Sequence, residues 1–211
     1  MLKQLQAATG AFFALFVFAH LINTWFAAFG AAGYDVVQRS MRLVYQFAPL
    51  EVLLLSAASV HAVIGILRWV REPRRELNAR ARWHRRSAVF LLVFILGHFF
   101  AVRGVSLFYD VFPGFEGLAW SMSYAPYYFY PYYFLLAMAG FYHGANGLTI
   151  AMARLGLRFN LSTSALRSAT TVAAVLTAVA LAGIGGIFLD VGAVDQSDFA
   201  QLYSRLFGLE L

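Results

Sequence analysis

Four of the five histidines sit one each inside long apolar stretches: His20, His61, His98 and His143. An ionisable side chain is costly in hydrocarbon and is kept there mainly as a relay, a ligand or a metal site. Neutral imidazole is a good iron ligand, and a flat iron macrocycle takes one axial ligand on each face. Four single imidazoles on successive membrane segments are the right number and distribution for two bis-histidine iron sites, the pattern of a membrane cytochrome b carrying two haem b groups. Taken alone, each histidine could equally be a packed, hydrogen-bonded residue. One per segment, none doubled and none in the last, is what favours ligation. The fifth, His84, lies among arginines and reads as a solvated interfacial residue, not a ligand.

The elements that must position these side chains follow from composition. The chain has 211 residues, 61% hydrophobic and 12% charged, where a soluble domain carries about 25% charged residues. Apolar runs near 7–29, 49–70, 87–108, 130–153 and 169–189 each reach the roughly 20 residues that cross a bilayer as a helix. Helices satisfy every backbone polar group internally. The expected fold is all-α, a single transmembrane domain over 1–211 built as a bundle of five helices. The first run follows Lys3 and precedes small residues, as a signal peptide would. It exceeds the usual apolar length of about 7–15 residues and carries His20 and Asn23, so it is expected to be retained.

Cysteine is absent, which excludes disulfides, thiolate-held clusters and covalently attached haem. There is no P-loop and no GxGxxG fingerprint. The glycines of Gly183-Ile184-Gly185-Gly186 read as close helix packing. Flavin or iron–sulfur chemistry would therefore belong to another subunit.

Charge gives an orientation. Lys3, the stretch from Arg68 to Arg86 (Arg68, Arg71, Arg74, Arg75, Arg80, Arg82, Arg85, Arg86) and Arg154, Arg158 and Arg167 put twelve of the sixteen basic residues at one end. Arg39, Arg42, Arg103 and Arg205 fall at the other, with eight of the ten acids, Asp35, Glu51, Asp110 and Glu116 among them. Basic loops stay inside, so the N-terminus is expected in the cytoplasm. REPRRELNARARWHRR reads as a cationic loop facing anionic headgroups and as a docking surface for a soluble partner; membrane lipid, not nucleic acid, is the counterpart expected for the net charge of +6. Between Tyr109 and Tyr133, seven tyrosines and Trp120 suit an interfacial aromatic belt, with Pro113, Pro126 and Pro131 in an irregular outer loop or a short interfacial segment.

Counted from the inner anchors, His20 lies 17 residues past Lys3 and His98 lies 12 past Arg86, while His61 lies 7 before Arg68 and His143 lies 11 before Arg154. At about 1.5 Å per residue, His20 and His98 are further out than His61 and His143. Those are the pairs that depth suggests. Gly65 and Gly147 follow His61 and His143 by one turn, on the same helix face, and could open room for a ring. The fifth run has no histidine and is expected to be peripheral.

Four segments then carry a family likeness: FAHLINTWFAAFGAAGYD, LEVLLLSAASVHAVIGI, GHFFAVR and FYHGANGLTIAMARLGL. In this order and spacing the chain resembles the single-polypeptide, five-helix, diheme cytochrome b subunit of succinate:menaquinone oxidoreductases and the related quinol:fumarate reductases. The resemblance implies that His20 and His98 are axial to an outer haem b, and His61 and His143 to an inner one. It also implies flavoprotein and iron–sulfur subunits on the cytoplasmic face, menaquinone as substrate and a multi-pass place in a bacterial inner membrane. Such a subunit would not oxidise succinate by itself. Arg103, five residues after His98, is a candidate contact to a haem propionate or to quinone; Glu51 and Asp110 are further candidates near the outer haem. Arg39 and Arg42 suit propionates chemically or simply snorkel to water. The acidic tail (Asp195, Asp198, Glu210) departs from the family pattern. Competing readings are the cytochrome b subunit of a hydrogenase or formate dehydrogenase, and a haem-free proton-conducting membrane protein.

Overall fold

Apolar runs of this length can satisfy their backbone in lipid only by coiling into helices, and they do so throughout. The computed structural model describes residues 1–71 and 76–209; Arg74, Arg75 and Glu210, which enter the charge counts and the tail above, lie outside the described residues. The main elements are α1 (Leu2–Trp25), α2 (Ala31–Tyr45), α3 (Ala48–Arg71), α4 (Ala79–Phe99), α5 (Val105–Tyr109), α6 (Phe115–Tyr124), α7 (Pro126–Arg154), α8 (Thr163–Ile184) and α9 (Asp198–Phe207). Among the described residues there is no strand. Among the described residues four stretches are long and apolar enough to cross a membrane: Leu2–Phe29, Ala48–Arg71, Ala79–Tyr109 and Thr163–Ile184. They make this a multi-pass membrane protein. The longest helix, α7, with 29 residues, is not among the four, because tyrosines, prolines, His143 and Asn146 dilute its apolar content.

Three sequence expectations are corrected. Much of the arginine-rich segment is not a loop: from Ala79 onward it is the first two turns of α4. The outer tyrosine-rich segment is largely ordered. It forms α6, and α7 then opens on Pro126, whose missing N–H costs nothing in a first turn. Trp120 and Tyr133 are also not a surface belt. Trp120 is buried against Phe199 and Tyr203, and the Tyr133 hydroxyl shares a 2.9 Å hydrogen bond with Ser121. Tyr109, Tyr124, Tyr127 and Tyr128 remain exposed, as a belt requires. The tail after α8 is also helical: α9 carries Ser197 as its N-cap, which accepts from the Ala200 amide, and ends on Gly208 in the left-handed region, the usual stop.

The residues divide into two compact units that cut across α1, α2, α4, α7 and α8. The first comprises 1–21, 41–92 and 138–173. Its packing relies on small residues: Ala7 and Ala11 meet Ala151, Leu148 and Met152, and Gly144 admits Phe18. Without water to drive helices together, such close backbone approach is what membrane packing uses. The second comprises 22–40, 93–137 and 174–211. Its core joins Tyr34, Phe115, Trp120, Met122, Ile184 and Phe199. Asp35 accepts the Phe115 amide at 3.0 Å, and the Trp25 indole donates to Thr177 at 3.0 Å.

Candidate functional site

In the first unit the structure brings together two of the expected ligands. His61, on α3, and His143, on α7, have ring centres 6.1 Å apart and planes 84° apart. Two imidazoles gripping one iron from opposite faces need roughly 6 Å between centres, given about 2 Å of metal–nitrogen bond on each side. The donor set and its spacing therefore fit a bis-imidazole haem. Among the described residues no three or more His, Cys, Asp or Glu side chains are placed to hold a metal ion; a porphyrin iron asks only two axial ligands of the protein.

Each of the two rings is tied through the same atom. His61 Nδ1 lies 3.0 Å from the Gln6 carbonyl oxygen. His143 Nδ1 lies 3.3 Å from the His84 carbonyl oxygen and 3.5 Å from Ser87 Oγ, whose own hydroxyl donates to the same carbonyl at 2.9 Å. A carbonyl can only accept, so each Nδ1 carries the proton and each Nε2 keeps its lone pair. A hydrogen bond on one nitrogen is what fixes the ligating nitrogen of a metal-bound imidazole.

Two features here have no counterpart in the sequence reading. Gly10, on α1, touches His61: a Cβ there would stand 2.5 Å from Cε1 and 2.6 Å from Nδ1. His84 is half-buried, not a fully solvated residue. Its ring lies parallel to that of His143, 4.1 Å between centres and 5° between planes, and its Nδ1 is buried without a hydrogen bond. The space beside Gly147 is taken by His84 Cε1 and that beside Gly65 by Gln6 Nε2, so these glycines admit protein atoms where the sequence suggested room for a ring. The periodicity of α4 carried a signal for His84: it is three residues before the buried Ser87 and shares its face.

Around this cluster, Arg80 bonds Asn146 Oδ1 and the Leu161 carbonyl, the latter at 2.8 Å. Arg68 donates to Gln6 Oε1 at 2.6 Å. Arg85 and Arg86 stack on Trp69 and Trp83.

The other expected pair is divided between the units. His20, in the first, stacks on Phe16 with 5.8 Å between ring centres, and Phe16 meets Tyr45 edge-on. His98, in the second, stands near the end of α4 just ahead of a π-helical turn, Phe100–Gly104. Such turns often mark functional positions. This one contains Arg103, whose guanidinium donates to Ser106 Oγ at 2.9 Å, and its Ala101 carbonyl accepts from the Tyr203 hydroxyl. Burial raises the Tyr203 pKa above the ordinary tyrosine value, so that hydroxyl keeps its proton.

No curated protein and no solved structure matches the chain. Residues 81–182 match the family model of the succinate dehydrogenase/fumarate reductase transmembrane subunit, a stretch just under half of the chain that holds His84, His98 and His143, and this match supports a transmembrane subunit of such a complex.

Proposed function

We propose that this chain is the diheme cytochrome b membrane anchor of a succinate dehydrogenase or fumarate reductase, with five membrane-crossing helices (α1, α3, α4–α5, α7 and α8) and the N-terminus in the cytoplasm. His61 and His143 hold an inner haem b; His20 and His98 hold an outer one. Arg103 contacts an outer-haem propionate or menaquinone. A flavoprotein and an iron–sulfur subunit dock on the cytoplasmic, arginine-rich face, and the complex resides in a bacterial inner membrane. Haem, when bound, supplies one-electron redox chemistry between the cluster subunit and quinone. The chain's own residues supply ligands, fix their tautomers and exclude water. It does not oxidise succinate alone.

The observation that carries this reading is the shared arrangement of His61 and His143, each anchored through Nδ1 to a backbone carbonyl at a separation suited to one iron. The test is the visible redox spectrum of the purified chain with a haem count. Two b-type haems per chain are expected. His61→Ala and His143→Ala should each remove the inner haem, and His20→Ala and His98→Ala the outer. Full haem content in His61→Ala would refute the ligand assignment. Co-purification with a nickel or molybdenum subunit would refute the choice of complex.

A further inference from the structure

We infer that His84 is a positioning residue for the inner haem: its imidazole clamps the plane of the axial ligand His143 by parallel stacking. This rests on the haem reading above and adds a residue to it.

The geometry leaves His84 little other role. Its ring is 4.1 Å from that of His143 and within 5° of parallel. On the opposite helix it sits over Gly147, where a Cβ would come within 3.4 Å of Cε1. His143 and Gly147 are one turn apart on α7, so the His84 ring fills a slot with an imidazole for one wall and bare backbone for the other. Its Nδ1 is buried and unbonded. What the ring contributes through that edge is no hydrogen bond; the contribution is its face. The same residue's carbonyl receives the His143 Nδ1, so one residue of α4 restrains the ligand ring twice, in tautomer through the main chain and in rotation through the side chain. One contact holds the His143 ring by its edge and the other by its face.

Rotation of an axial imidazole about its metal–nitrogen bond changes the magnetic anisotropy of low-spin ferric iron, which gives a readout that ordinary loss of stability does not move. The experiment compares the parent chain, His84→Ala and His84→Phe by haem count, by electron paramagnetic resonance of the oxidised membrane protein and by haem release to excess apoglobin. His84→Ala should keep two haems per chain, shift and broaden the low-field feature of the inner haem, and release that haem about 10- to 100-fold faster, the range for loss of a ligand's outer support. The outer-haem feature is the internal control for folding. His84→Phe, which restores a ring face without a nitrogen, should return both signal and release rate toward the parent. An unchanged inner-haem signal in His84→Ala would overturn the inference. Loss of the inner haem in both variants would overturn it too, since a nitrogen would then be required. Retention of both haems in His143→Ala would instead refute the reading on which the inference rests.

Discussion

Gly10→Ala tests the inner site from a helix that carries none of its ligands. The new methyl would stand 2.5 Å from His61 Cε1 and 2.6 Å from Nδ1, where ordinary carbon contacts begin near 3.4 Å. The imidazole must therefore retreat by about 1 Å. Overpacking of this size costs about 1–3 kcal/mol. The retreat also stretches the 3.0 Å contact to the Gln6 carbonyl beyond hydrogen-bond range, adding about 1 kcal/mol. A total of about 2–4 kcal/mol falling on the haem-bound arrangement weakens inner-haem affinity roughly 30- to 1,000-fold. The assay is haem content after purification followed by haem transfer to apoglobin, with the outer haem as reference. Gly65→Ala is the matched control: its Cβ would meet only the end of the Gln6 side chain at 3.3 Å, which can swing aside, so a change below threefold is expected. An inner haem held as tightly in Gly10→Ala as in the parent would refute both the contact and the role of His61.

Other consequences are equally direct. Arg80→Ala leaves the Asn146 Oδ1, on a residue only 2% exposed, without the guanidinium it accepts from, at a cost of about 1–3 kcal/mol; adding Asn146→Ala should recover part of that loss, read by thermal unfolding in detergent as non-additivity. Ser197→Ala removes the α9 cap and about 1 kcal/mol, seen as faster proteolysis of the C-terminal helix, while Ser197→Thr, which keeps both the acceptor for the Ala200 amide and the hydroxyl that donates to the Val194 carbonyl at 2.7 Å, should recover most of the loss. The 84° between the His61 and His143 planes predicts a strongly anisotropic low-spin ferric signal for the inner haem; a rhombic signal typical of parallel imidazoles would contradict that geometry.

What could be read from the sequence was whatever repeats along one segment. Apolar run length located the long helices to within a few residues for α1 and α3, because nothing in lipid competes with helix over such stretches. It misplaced the start of α4 by eight residues, since Arg80, Arg82, Arg85 and Arg86 read as loop by polarity although arginine is a good helix former. The same error put His84 in solvent. Polarity says how a residue meets water, while periodicity says which face it occupies; on α4 the second was the better guide. Trp120 and Tyr133 were misassigned for a related reason: an aromatic with a polar tip suits a membrane interface and a buried hydrogen-bonded core equally well, and only the partners in α9 and Ser121 decide between them. Gly10 was illegible, because its role depends on a histidine 51 positions away on another helix.

Gly10 and the carbonyl of Gln6 also belong to one device. A carboxylate is a common partner for the second nitrogen of a metal-bound imidazole, but a charged one within hydrocarbon is costly. A helix carbonyl is neutral and always present, yet it already accepts the amide four residues on, and the Cβ of that residue leans back over it. At both carbonyls a neighbouring hydroxyl also shares the oxygen, Thr9 on Gln6 at 3.3 Å and Ser87 on His84 at 2.9 Å, and a donor from another helix reaches it only where the side chain four residues on is small. Four residues after Gln6 stands Gly10, and four after His84 stands Ala88. Both carbonyls that meet His61 and His143 are thus followed one turn on by a small residue, and at position 10 any added side chain would crowd both the acceptor and the His61 Nδ1, which its Cβ would approach to 2.6 Å. Helix packing and the tautomers of His61 and His143 thus meet at the same short stretches of α1 and α4.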